Sequence, residues 1–110
     1  MEIDMQQKFR EKLGKETRPY VILGACLPAM AHEALEMEPA IGVLMPCNVC
    51  VWDNGDGTST VSAINVESLF RLVDKPALAQ AAKIIQAKLD AVMAWVKSDT
   101  LLMRAHSRAA

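Results

Sequence analysis

The chain has 110 residues, of which 52% are hydrophobic, so we expect one domain with a single, modest core. The 12 basic residues are scattered and balanced by 13 acidic ones, which argues against a nucleic-acid partner. No apolar run reaches the roughly 18 residues that a membrane-spanning helix needs, and no signal pattern opens the chain, so we expect a cytoplasmic protein without a membrane partner.

The first third of the chain predicts a helix, a strand and a second helix. Residues 3–13 form an amphipathic pattern, with Asp4 as a plausible N-cap and Gly14 as the stop. Residues 19–23 are a short apolar run that is typical of a buried strand. Residues 28–37 begin with a proline, which suits the first turn of a helix.

A β-hairpin over residues 43–65 and a long helix over residues 76–96 follow. The turn at residues 53–57 contains Asn-Gly and Asp-Gly, which accept positive φ at low cost, between two runs of strand formers. The sequence therefore predicts an α+β domain over residues 1–97, followed by a mobile tail over residues 98–110.

The long helix over residues 76–96 carries an apolar stripe that should cover one face of the sheet, while four polar residues lie away from this stripe. The stripe is Leu78, Ile85, Leu89, Val92 and Val96, and the polar residues are Lys83, Gln86, Lys88 and Asp90.

The hairpin contains a Cys-x-x-Cys pair, Cys47 and Cys50. Redox and zinc motifs of this spacing sit at a helix start or on a tight turn, whereas these residues lie in a predicted strand. Side chains of a strand alternate between its faces, so positions three apart point to opposite sides. No second Cys-x-x-Cys and no nearby histidine pair would complete a zinc site. The sequence therefore predicts two separated thiols and no metal site.

Cys26 is a second candidate for chemistry. It ends the predicted strand and precedes Pro28, so backbone N–H groups at the helix start could lower its pKa or bind an anion. Cys47 also lies near a strand end, and His32 lies one turn into the helix, where it could act as a base. The alternatives stay open: the cysteines fill gaps in the core, and His32 is a surface residue.

Residues 18–65 contain three signatures: Tyr20 to Cys26 with Pro28, then Glu38-Pro39, then Leu44 to Val49. Together they resemble the bacterial and archaeal family called domain of unknown function 302. The resemblance covers about residues 2–96, and the helix over residues 76–96 is similar to the closing helix of the family. It implies a two-layer α+β sandwich with an antiparallel sheet, commonly a dimer, and no established activity. The two family cysteines map onto Cys26 and Cys47.

The chain departs from the family pattern at several points. Leu27 stands where the family prefers asparagine, which would weaken a polar site there, and Cys50 stands where an apolar residue is usual. Family members also begin with a further strand, a helix and part of a strand before the segment Glu2-Ile3-Asp4. We therefore expect either a homodimer, in which a second copy covers an exposed sheet edge and apolar face, or a truncated and less stable form.

The function predicted from the sequence is a small cytoplasmic ligand-binding or interaction module without a cofactor. A pocket near Cys26 and Cys47 would hold a small molecule or anion, with Pro28 and Asn48 as further candidate ligand-binding residues. The alternative is a thiol-dependent redox or sulfur-transfer protein, with Cys26 as nucleophile, Cys47 as resolving partner and His32 as base. Metal binding by the same thiols is a further alternative.

Overall fold

The computed structural model describes residues 1–98 and 105–109. The strands are β1 Glu2–Asp4, β2 Tyr20–Ala25, β3 Cys47–Asp53, β4 Ser59–Ala63 and β5 Ala105–Ala109. The α-helices are α1 Met5–Leu13, α2 Pro28–Met37, α3 Val66–Phe70 and α4 Pro76–Ser98, and a 3₁₀ helix spans Pro39–Leu44.

The strands form one sheet in the order β1-β2-β3-β4-β5. The first four strands are antiparallel, and β5 lies parallel to β4. The register pairs Ala25 with Cys47, and Val49 with Ala63. The predicted α+β fold, with its antiparallel sheet and long C-terminal helix, is confirmed.

Two local signals act as the sequence predicts. The Asp4 side chain accepts a hydrogen bond from the Gln7 backbone N–H at 3.0 Å, and α1 ends at Gly14 in the left-handed region at φ 62°. In the hairpin turn, Gly55 and Gly57 have φ of 81° and 87°, which glycine adopts at little cost. Cap and turn residues therefore set the ends of α1 and the path between β3 and β4.

Other boundaries differ from the prediction. The first hairpin strand begins at Cys47 and not at residue 43, because Pro39 starts a 3₁₀ helix whose first turn is capped by the Glu38 carboxylate on the Ala40 N–H at 3.3 Å. The first helix begins at Met5, two residues later than predicted, because Ile3 pairs with Ile22 in the sheet. The short helix α3 was not predicted, because five residues are too few to show a helical period.

The C-terminal tail is described only in part. Ser98 ends α4, and Ala105–Ala109 forms β5 beside β4. Residues 99–104 and 110 lie outside the described residues, so the predicted mobility of residues 98–110 and the domain limit at residue 97 stay predictions. Within residues 1–98 and 105–109, no helix combines the length and apolar character that crossing a membrane requires.

The core lies between the sheet and the helices. Along the predicted stripe of α4, Leu78 is fully buried, while Ile85, Leu89 and Val96 are half-buried and Val92 is 55% exposed. The stripe is therefore buried most deeply near the start of α4. The core cluster consists of Ala34, Ile41, Val66, Phe70, Leu78 and Ala82.

Gly24 is held in close contact with the segment that precedes β3. A Cβ atom at Gly24 would lie 2.8 Å from Pro46 Cγ, which is closer than van der Waals contact allows. We expect Gly24→Ala to lower the free energy of unfolding by about 1–3 kcal/mol, measured by urea denaturation, because the added methyl group overpacks the site.

Gly42→Ala is the matched control for this substitution. Its Cβ would lie 3.6 Å from Leu35 Cδ2, an ordinary contact, so stability should stay unchanged or rise slightly. Equal effects of the two substitutions would contradict the close approach of Gly24 and Pro46.

Candidate functional site

The strand predicted at the Cys-x-x-Cys pair is confirmed, and it separates the two thiols. Cys47 packs against the helical core, on one face of β3. Cys50 lies opposite Ile22 in the register and beside Tyr20 on the other face. The interaction with Cys50, followed by burial, raises the pKa of the Tyr20 hydroxyl above its usual value. The ring of Tyr20 also stacks on Trp52, with ring centroids 5.5 Å apart.

Cys26 and Cys47 line the same cavity. The pairing of Ala25 with Cys47 brings the end of β2 to the start of β3, and Cys26 follows directly. The cavity has a volume of about 160 Å³ and lies between these strand ends, α2 and the second half of α4. Its lining residues are Ala25, Cys26, Leu27, Ala31, Met45, Pro46, Cys47, Phe70, Ile85, Lys88, Leu89 and Val92.

The electrostatics of the cavity keep Cys47 in its neutral form. Burial raises the pKa of the Cys47 thiol, and the neighbouring Cys26 raises it further through charge repulsion. Both causes disfavour a thiolate, which is the reactive form of cysteine. Cys26 itself is exposed.

We expect iodoacetamide to alkylate Cys26 faster than Cys47 in the folded protein near neutral pH. Because the pKa of Cys47 is raised, its labelling rate should climb at a higher pH in the folded chain than in the unfolded chain. Peptide mass spectrometry after timed labelling measures both rates, with the urea-unfolded chain as the control. A folded Cys47 that reacts as fast as an unfolded one would contradict its burial.

The other predicted site residues lie apart from the cavity lining. His32 Nε2 lies 3.4 Å from Glu36 Oε1, four residues further along α2, and both side chains are more than two-thirds exposed, at 76% and 71%. Pro28 is exposed at the start of α2. Asn48 is exposed on β3, where its backbone carbonyl accepts from the Ile64 N–H at 3.2 Å. Of the predicted candidates, the structure thus brings together Cys26 and Cys47.

Sequence reasoning missed Lys88 and Gln86, which it assigned to the side of α4 away from the core. Lys88 lines the cavity. Gln86 is only 8% exposed, and its Oε1 accepts from the Val66 backbone N–H at 2.6 Å. Both residues directly adjoin members of the apolar stripe, so proximity to Ile85 and Leu89 was the available signal.

A second, more polar pocket lies between α3, the segment that follows it and α4. Its volume is about 300 Å³, and both acidic and basic side chains line it. Lys75 is engaged there, since its Nζ donates to Glu38 Oε2 at 2.9 Å and to the Met37 carbonyl at 2.8 Å. This ion pair lowers the pKa of Glu38, so its stabilising effect exists above the usual carboxyl pKa and is lost as pH falls through the lowered value.

A metal-binding group would need several ligands close together. In the part of the chain that the structure describes, no three His, Cys, Asp or Glu side chains form such a group. The two cavity thiols by themselves supply half of the four ligands that a structural zinc site uses.

The fold and the site define a small α+β domain with an apolar cavity at one end of its sheet. The chain belongs to the family described as Domain of unknown function DUF302, whose model matches residues 1–96. This confirms the resemblance that the sequence motifs indicate, and the family description assigns no activity.

A solved structure agrees with this assignment. The chain is similar to an uncharacterized conserved protein DUF302 from Bacillus stearothermophilus, with 26% identity and a TM-score of 0.68. The alignment covers 83% of this chain and 70% of that one. No curated protein matches the chain significantly.

Proposed function

We propose that this protein is a small ligand-binding module and that the cavity lined by Cys26 and Cys47 is its binding site. The observation that supports this most strongly is the open, apolar cavity itself, which lies between the ends of two strands and residues of three helices. Ligand sites are typically concave and mostly apolar, with a few polar groups that orient the ligand. At about 160 Å³ the cavity suits one small ring or a short acyl chain, since a cavity of about 150 Å³ in another protein accommodates benzene.

The geometry favours neither thiol chemistry nor metal binding. The predicted nucleophile Cys26 would need a base, but His32 is paired with Glu36 outside the cavity. Burial raises the pKa of Cys47, the predicted resolving partner, and so disfavours its reactive thiolate form. A neutral Cys47 serves instead as a small, polarizable wall of an apolar site.

Toluene binding tests this proposal, because toluene is a neutral probe of suitable size. The Met45 side chain lines the cavity, and NMR of ¹³C-labelled methionine methyl groups reports on it. We expect the Met45 methyl resonance to shift as toluene is added and the shift to saturate. Ala31→Phe should abolish the shift by filling the cavity, and Ala31→Leu, which is a smaller change, should reduce it.

Ala29→Phe is the control on the same helix, because Ala29 is exposed and does not line the cavity. Toluene should still shift Met45 in this variant. Absence of saturable binding to the folded wild-type protein, or unchanged binding in folded Ala31→Phe, would rule out the cavity as the site.

The proposed location is the cytoplasm. Cys26, Cys47 and Cys50 are free thiols, which suits a reducing compartment. Fractionation of the native host should recover the protein with cytoplasmic markers, and recovery outside the cell would contradict this location.

A homodimer is also part of the proposal. Three large apolar side chains on α4 support it. Ile84, Val92 and Trp95 are 43%, 55% and 62% exposed, and their spacings of eight and three residues place them on one side of the helix. A second copy packed on this stripe would remove it from water. Light scattering coupled to size-exclusion chromatography should give twice the chain mass, and a stable monomer at micromolar concentration would contradict the dimer.

A further inference from the structure

Lys88 gives the apolar cavity a single charged group. Among the described residues that line the cavity, Lys88 alone is charged at neutral pH, and no carboxylate is present. The remaining lining is apolar apart from the thiols of Cys26 and Cys47, and Cys47 is held neutral by burial. Any charge on a bound molecule therefore meets a positive group.

This positive charge has no acidic partner in the described part of the chain. The ion pairs there join Arg10 with Glu16, His32 with Glu36, and Lys75 with Glu38. On α4, the positions three and four residues from Lys88, which are its neighbours on the helix surface, are all apolar. They are Ile84, Ile85, Ala91 and Val92.

Resting on the proposed function, we infer that the cavity binds a small apolar carboxylate. The apolar tail fills the space between Met45, Phe70 and Leu89, and the carboxylate lies at the edge beside the Lys88 ammonium. Burial of the tail supplies most of the binding free energy. The ion pair adds selectivity for an anion, with a modest effect because Lys88 is exposed to solvent.

The same lining disfavours other classes of ligand. A cation would be repelled by Lys88, and a polar molecule such as a sugar would leave hydroxyl groups without partners against apolar walls. A phosphate dianion is best held by several charged donors, whereas one ammonium is present here. A monoanion with an apolar body fits both the charge and the lining.

Three probes that share one ring separate the contributions of charge and burial: benzoate, toluene and benzylamine, which is a cation at neutral pH. Their affinities are read from the Met45 methyl shift. Lys88→Met should weaken benzoate about fivefold, as expected for one ion pair near water, and leave toluene unchanged. Lys88→Glu should weaken benzoate further and strengthen benzylamine.

Lys83→Glu is the matched control for Lys88→Glu. It changes the net charge by the same amount on the same helix, at a residue that does not line the cavity. It should alter benzoate affinity by less than twofold at about 0.15 M salt, where charges more than roughly 8 Å apart are screened. Circular dichroism confirms that each variant is folded.

The possible outcomes separate the two proposals. If toluene binds but Lys88→Met leaves benzoate affinity unchanged, the carboxylate inference is wrong and the binding module stands. If none of the three probes binds the folded wild-type protein, both are wrong.

Discussion

Leu78→Ala is expected to lower the free energy of unfolding by about 2–5 kcal/mol. Leu78 has 0% exposure and lies in the core cluster near the start of α4. The substitution removes buried methyl groups and leaves a void that the surrounding helices fill only in part. Urea denaturation followed by circular dichroism measures the loss.

Leu72→Ala is the matched control for this prediction. Leu72 is 76% exposed, in the segment just before α4, so its truncation should change stability by less than about 0.5 kcal/mol. Comparable losses for the two variants would contradict the burial of Leu78 in the core cluster.

Gln86→Met should cost about 1–3 kcal/mol, although the new side chain has a similar volume. Gln86 Oε1 accepts from the Val66 N–H at 2.6 Å, at the first turn of α3, and Gln86 Nε2 donates to Asp90 Oδ1 at 2.8 Å. Methionine cannot replace these bonds, so the buried N–H of Val66 would lose its partner. Hydrogen exchange of the Val66 amide should accelerate together with the drop in stability.

Gln80→Met tests whether the effect comes from the buried hydrogen bonds. Gln80 lies on the same helix and is exposed, so this variant should keep nearly wild-type stability. If Gln86→Met left the free energy of unfolding unchanged, water or a neighbouring group would have to accept the hydrogen bond from the Val66 N–H in place of Gln86.

Elements with strong local signals could be predicted from the sequence. The cap at Asp4, the left-handed Gly14 and the hairpin turn each depend on a few adjacent residues, so the chain fixes them locally. The apolar period of α4 extends over several turns and was also correctly recognised.

Features that depend on distant residues were missed. The helix α3 is capped by Asn65 from its own segment and by Gln86 from α4, twenty residues away, so part of its capping is tertiary. The 3₁₀ helix over Pro39–Leu44 replaced the early part of a predicted strand, because apolar composition alone does not separate the two.

Only part of the candidate site could be predicted from the sequence. Side-chain alternation along β3 was sufficient to separate Cys47 from Cys50. The shared cavity of Cys26 and Cys47 depends on the register that pairs Ala25 with Cys47, which no local pattern specifies. The position of Lys88 beside the cavity depends on how α4 packs, which no local pattern specifies.

The most direct test is to alkylate Cys47 and Cys50 with and without toluene, near the solubility limit of toluene. It shows whether β3 directs one thiol into the apolar cavity and the other to the opposite face. Cys47 lines the cavity, while Cys50 adjoins Tyr20. Toluene should slow the labelling of Cys47 and leave that of Cys50 unchanged. Equal protection of both thiols, or protection of Cys50 alone, would contradict the separation of the two faces.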